Sequence, residues 1–487
     1  MNPQQQKIER FKNVVIALLF LITLIFLYTF WIGPVRPSFQ FPSLIGKASE
    51  SQIPTSAVLW PNQTVVDFGN GEATVLDQAP PKAWELMKKT FSDFNQTTDL
   101  KINEITQDQY EKIMDFRSII FKYSYSIPAE SFCSIHDIKA GSALKSTPNL
   151  SEIGYSTGSP DSLFIADVKA QRYYRLIGES NAAASWQALI DGIDNYQNPT
   201  YYPIGIFIGN QHQTLIPVNL SSSLSPLAYR GDFKRSMEES AAQSFFGKTL
   251  DFVRGVEDSR GTITYMYGYS QKLLTISPVG VIEYKEPPSR DSGTTEAFEK
   301  ALKKAIQFIE THGGWPTSEQ SSISLTLDDV QIITRDDLSG FRFFFKLMLD
   351  DNTVYYSNEN PVVVELLNGQ ITYYRRDLID VSILESEPDS SPQWREAETA
   401  INVLAIEQNS AAVASVLKNQ GVSMKETKGE ALFNEIAEKV DFVGYGYAKI
   451  PTKRYLIPAW AFRINNMTFL FELYDGHPLG YYLRETP

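Results

Sequence analysis

Gly340 to Leu349 reads GFRFFFKLML, turns at Asp350-Asp351-Asn352 and returns as Thr353 to Ser357. Farther along, Arg454 to Ile464 (RYLIPAWAFRI) turns at Asn465-Asn466 and returns as Met467 to Leu473. Aromatic and β-branched runs broken by short polar pairs are strands joined by hairpins. A second hairpin follows each. Leu367 to Tyr374 turns at Asn368-Gly369, and Tyr474 to Tyr482 turns at Asp475-Gly476. Asn-Gly and Asp-Gly are the strongest short hairpin signals. A helix precedes each set of strands. In the first, Phe298, Ala301, Leu302, Ala305, Ile306 and Ile309 recur at helical spacing, with Thr294 or Thr295 to cap the start and Gly313 for the left-handed end. In the second, Trp394, Ala397, Ile401 and Leu404 mark the same kind of face. The spacing predicts two copies of one helix covering the apolar face of an antiparallel sheet.

Two polar, proline-bearing breaks separate these units: Glu286 to Gly293, and Ser386 to Pro392. They set blocks at 55–288, 294–385 and 392–487, each of ordinary domain size. The first block mixes elements. Trp84, Met87, Lys88 and Phe91 predict a short helix after Pro80-Pro81. Ser118 to Ser126 alternates as a strand, and Leu163 to Val168 with Arg172 to Ile177 forms a hairpin. Ala182 to Tyr196, with Ser180 or Asn181 as cap, and Lys234 to Phe246 predict helices. Gly261 to Ile276 and Val279 to Lys285 close the block as strands.

Ahead of all this, Val14 to Ile32 (VVIALLFLITLIFLYTFWI) carries no charge and is broken only by Thr23 and Thr29. A helix of that length reaches roughly 28 Å, close to a bilayer core. Tyr28, Phe30 and Trp31 sit at one end, where amphipathic rings favour the interface. The run ends in Phe30-Trp31-Ile32-Gly33-Pro34, a poor cleavage site, so it reads as a retained anchor rather than a signal peptide. Lys7, Arg10 and Lys12 precede it against Glu9, and only Arg36 follows closely. The positive-inside rule puts 1–13 in the cytoplasm, the 14–32 helix in the membrane and everything later outside. Residues 33–54, with Pro34, Pro37, Pro42 and Pro54, read as an extended stalk. The fold class is therefore α+β: one transmembrane helix, a mixed α/β external domain, and two similar helix-plus-antiparallel-sheet domains.

Composition limits function. The chain has 487 residues, 44 Lys+Arg against 57 Asp+Glu and a net charge of −13, which argues against a nucleic-acid partner. One cysteine excludes an internal disulfide, which suits a bacterial envelope better than a eukaryotic secretory route. Four scattered histidines show no metal-binding spacing; Cys133 and His136 supply at most half of a four-ligand site. Gly154-Tyr155-Ser156-Thr157-Gly158 matches G-x-S-x-G by letter. That motif needs a buried strand before the serine and a helix after it, and Pro148 to Glu152 reads as neither strand nor core. Gly69-Asn70-Gly71 opens no phosphate loop, and Asp350-Asp351-Asn352 lacks the closing Glu of a calcium loop. No catalytic, metal or cofactor site is expected.

Several segments then stand in a familiar order: Ser244-Phe245-Phe246, Asp251 to Arg254, Thr262 to Tyr265, Gly280 to Tyr284, Phe308 to Trp315, Asn360-Pro361-Val362 and Asn368 to Arg376, with Ile120-Phe121 to Phe132 before them. In that order and pattern the chain resembles the YycH family, accessory proteins of the essential cell-wall sensor kinase of low-GC Gram-positive bacteria. It departs at Tyr267-Gly268, where the family has Asp-Gly, and at Asn360, where it has Gly. The resemblance implies one membrane helix and three external domains, the last two similar to each other and to a companion, YycI. It implies binding to a sensor histidine kinase, usually with YycI, and no catalytic residues. It implicates the membrane helix, hence Val14, Thr23, Tyr28, Thr29, Trp31 and Ile32, in the kinase contact. An envelope enzyme acting on wall polymer, or a structural or inhibitory binding module, is the alternative.

Overall fold

The computed structural model describes residues 53–483 apart from short internal stretches, the longest being 140–148, 289–295, 316–322 and 382–403. The anchor, its six named residues and nearly all of the stalk lie outside the described residues. So does most of the Trp394–Leu404 face, of which Leu404 begins the short helix Leu404–Gln408.

The first sheet has nine strands: β1 (Gln63–Asp67), β2 (Ala73–Leu76), β3 (Lys101–Ile105), β4 (Ser118–Pro128), β5 (Asn149–Ser156), β6 (Ser162–Asp167), β7 (Arg172–Ile177), β8 (Tyr201–Pro203) and β9 (Leu215–Pro217). Their order is β3-β7-β6-β5-β4-β1-β2-β8-β9, every pair antiparallel. The helix expected around Trp84 runs from Pro81 to Gln96, with proline at the first position where no amide partner is needed. It buries Trp84, Met87 and Phe91, and the Trp84 ring packs on Phe121, Phe132 and His136. Trp186 on the Ala183–Asp194 helix donates to Thr90 Oγ1 at 3.0 Å, locking the two helices together.

The second sheet has fifteen strands. Those before the first repeat are β10 (Leu227–Arg230), β11 (Arg254–Glu257), β12 (Ile263–Tyr267), β13 (Lys272–Ile276) and β14 (Val281–Lys285). The first repeat supplies β15 (Ile323–Arg335), β16 (Leu338–Leu349), β17 (Asn352–Tyr356), β18 (Val362–Leu367), β19 (Gln370–Asp377) and β20 (Asp380–Val381). The second supplies β21 (Val440–Lys449), β22 (Tyr455–Ile464), β23 (Met467–Glu472) and β24 (Pro478–Leu483). All six periodic residues of the Phe298–Thr311 helix are buried, and Phe298 meets Phe341 and Phe343 edge-on. Among the described residues the second repeat is covered by the helices Leu404–Gln408, Ser410–Asn419 and Gly429–Ala437.

The repeats match as β15-β16-β18-β19 against β21-β22-β23-β24. The first repeat has two strands beyond these four, β17 and the short β20. Its return strand is split into β17 and β18, both on the same edge of β16. The added β17 has a use. β17 pairs in parallel with β21, from Thr353↔Gly446 to Tyr356↔Lys449, and so joins the two repeats into one sheet. Asp350 and Asp351 take φ of 45° and 66°, and Asn368 and Gly369 take 46° and 74°, the double positive φ of tight hairpin turns.

Two further differences concern the first block. Gly261–Ile276 holds two strands, β12 and β13, with a turn between them. These and β14 do not join the first sheet. β14 pairs with β19, so the second sheet continues across the Glu286–Gly293 break. The 201–217 segment also crosses between units. Ile204 and Ile216 lie in the core of the second repeat, and Thr214 Oγ1 donates to the Val440 carbonyl at 2.9 Å.

Candidate functional site

A cleft of about 690 Å³ lies where the first sheet meets both repeats. Two strand irregularities meet at its wall. β4 leaves its register with β5 between Lys122 and Ile127, and β15 leaves its register with β16 between Leu327 and Asp329. Such bulges re-aim side chains and stop regular pairing. Polar bonds cross between them. Asn62 Nδ2 donates to the Leu327 carbonyl at 3.2 Å, and its Oδ1 accepts from the Ser124 amide at 2.9 Å. The Ser124 hydroxyl donates to the Asp328 carbonyl.

The chain of contacts runs on into the repeats. Asn360 Nδ2 donates to the Asp328 carboxylate at 3.2 Å, and the Asn360 carbonyl accepts from Arg375 Nη1 at 2.7 Å. Two residues on, the Asp377 carboxylate pairs with Lys449 of β21. Burial lowers the Lys449 pKa, and the Asp377 charge opposes that shift without overcoming it. A pair like this contributes little net stability, but losing one partner leaves the other charge stranded. The cleft therefore sits on a bonded path touching the first sheet and both repeats.

The charges lining the cleft compensate one another. Lys122 pairs with Glu152 at 3.3 Å, and Arg463 with Asp441 at 2.5 Å while its guanidinium covers the Phe442 ring. Burial pushes Asp77 up to about 6 against the pull of Lys346. Tyr123 and Tyr125 form part of one wall. They are 5% and 4% exposed, and their hydroxyls have no hydrogen-bond partner among the described residues.

The residues singled out for chemistry in the sequence are elsewhere and are structural. The stretch before Ser156 is a buried strand, β5, contrary to expectation. Its polar start misled because Ser151 and Glu152 are buried with partners: Ser151 Oγ donates to the Ala166 carbonyl at 3.2 Å, and Tyr110 donates to Glu152 at 2.8 Å. The chain after Ser156 turns into β6, not into a helix. Ser156 is fully buried and its Oγ donates to the Phe116 carbonyl at 2.8 Å and accepts from the Gly158 amide at 3.3 Å. Ser156→Ala is expected to cost about 1–2 kcal/mol, read as a fall in the urea midpoint followed by tryptophan fluorescence. An unchanged midpoint would remove the structural role.

Cys133 is buried on the Ala129–Ile135 helix, its thiol pushed up to about 12 by burial. His136, just past that helix, is held neutral by burial between Trp84 and Phe132. Among the described residues no group of three His, Cys, Asp or Glu is placed to hold a metal ion. None of their helices is long and apolar enough to cross a membrane.

The cleft itself was not legible in the sequence. Its residues come from strands far apart in the chain, and no local motif marks a bulge. One signal was present: Asn360, noted as a departure from the family pattern, is the link between Asp328 and Arg375.

No family model matches the chain, and no curated protein matches it by sequence. Among solved structures, the crystal structure of YycH from Bacillus subtilis is similar with a TM-score of 0.51 at 14% identity, covering 88% of this chain and 97% of that one. The Bacillus megaterium YpeB C-terminal domain aligns over 52% of this chain and 99% of its own length at 11% identity, with a TM-score of only 0.24. The described residues have a divergent YycH-like α+β fold.

Proposed function

We propose that this chain is a membrane-anchored, extracytoplasmic regulator that binds an envelope sensor histidine kinase controlling cell-wall metabolism, together with a YycI-like companion. The observation that carries the reading is the YycH-like fold over 88% of the chain. The ordered family-like segments support it from the sequence side. The reading is non-enzymatic, which suits a buried, hydrogen-bonded Ser156 and a thiol at Cys133 that burial keeps protonated.

In this reading the Val14–Ile32 helix packs beside kinase helices and favours one of two kinase arrangements. A regulator shifts such an equilibrium only by its difference in affinity for the two states. Thr23 offers a mid-helix hydroxyl, worth ~0.6 kcal/mol if it bridges helices. The helix has no G-x-x-x-G, so the contact does not rely on close backbone approach.

The test is to purify the full-length chain from native membranes in mild detergent and identify what accompanies it. A sensor histidine kinase is expected, and it should be lost when Val14–Ile32 is replaced by an unrelated apolar helix. A kinase retained after the swap would move the contact to the external domains. No kinase even under crosslinking would overturn the reading.

A further inference from the structure

The regulatory reading makes no use of the cleft, whose lining has a definite chemistry. Its volume of about 690 Å³ falls within the roughly 300–1,000 Å³ of small-ligand sites, which favour junctions between domains. Five carboxylates and four cations line it, several of them paired with each other, so it holds no large field of either sign. That disfavours a phosphate or a highly charged ligand. Neutral donors and acceptors are present at Gln63 and Gln331, and at Asn465 and Asn466, both exposed on the β22–β23 turn. The half-buried ring of Tyr482 lines the cleft with them, while the Phe442 ring lies under the Arg463 guanidinium. Side-chain amides and hydroxyls both donate and accept, which matches a ligand whose own groups do both.

An extended peptide is the natural competitor in a cleft between strands. It would need a regular row of edge amides and carbonyls to pair with. Both strands flanking the cleft break that spacing with bulges, at Lys122–Ile127 and at Leu327–Asp329. We infer that the cleft binds a short, near-neutral oligosaccharide, stacked on Tyr482 and hydrogen-bonded through the surrounding amides.

The full-length chain, in a detergent without a sugar head group, is titrated calorimetrically with chitotetraose, with cellotetraose and with a capped neutral tetrapeptide. Saturable binding of one or both sugars is expected at roughly millimolar affinity or tighter. Preference for the first would assign acetamido sugars; equal binding would assign glycans in general. Tyr482→Ala should weaken binding about tenfold with an unchanged circular dichroism spectrum. Asn466→Ala, at an exposed turn where folding is not at stake, should weaken it as well. Three results would overturn the inference: no binding of either sugar, binding of the peptide alone, or sugar binding that neither variant affects. The kinase test is separate. A chain that binds sugar and recruits no kinase keeps the cleft and loses the regulatory reading, and the reverse result separates them equally.

Discussion

Gly446→Ala is expected to destabilise the fold by about 3 kcal/mol, near the top of the usual range for overpacking. Gly446 is buried in β21, where it faces Thr353 in the parallel ladder and Ala459 in the antiparallel one. A Cβ there would stand 2.2 Å from the Thr353 carbonyl oxygen. That neighbour is backbone, so no rotamer change relieves the clash. Either β17 or β21 must move, and these four register pairs are the ladder joining the two repeats. The loss should therefore fall on the joint. Urea unfolding should become broader than the parent's or split as the repeats uncouple. Gly192→Ala is the control. It lies in the Ala183–Asp194 helix with nothing within 4 Å of an added Cβ. There alanine should stabilise by up to about 1 kcal/mol. A Gly446→Ala chain as stable as its parent would mean that the parallel joint is not tightly packed.

How far the sequence reached follows from the range of each interaction. The Phe298–Thr311 helix was legible because its stripe is local and every residue of it is buried. The tight turns were legible because Asp350-Asp351 and Asn368-Gly369 must adopt positive φ, which few residue types tolerate. The β17–β21 joint was not legible. It pairs strands about ninety residues apart, and nothing in Thr353–Tyr356 states which strand will lie beside it. The same reason hid the attachment of β14 to β19. β5 was missed for a different reason: its polar residues are buried with partners supplied by β6 and by the Gln107–Met114 helix. Hydropathy alone scores such a strand as a loop.

The chain should lose about 3 kcal/mol of stability between pH 7 and pH 4.5, and His136 should account for much of it. Burial among Trp84 and Phe132 lowers His136 from 6.5 to about 3, helped by the Lys88 charge and opposed by a hydrogen bond to the Leu59 backbone. His312, whose Nδ1 lies 2.9 Å from the Phe308 carbonyl, is lowered to about 4 by burial. Both pKa values are depressed in the folded state, so both rings fold as neutral imidazoles. Their contribution is complete above the unfolded value of 6.5 and is lost as pH falls toward the folded values. Over the two units from 6.5 to 4.5 each forfeits roughly 2.7 kcal/mol. Asp77 acts with the opposite sign. Its carboxyl, pushed up to about 6, is a burden when ionised, and protonation between 6 and 4.5 returns roughly 2 kcal/mol. The histidines outweigh it. His136→Leu removes one term while keeping an apolar group against Trp84, so its stability should depend less steeply on pH than the parent's. Urea midpoints at the two pH values measure this directly. Parallel losses in parent and variant would show that His136 does not take up a proton on unfolding, and the burial argument for it would fail.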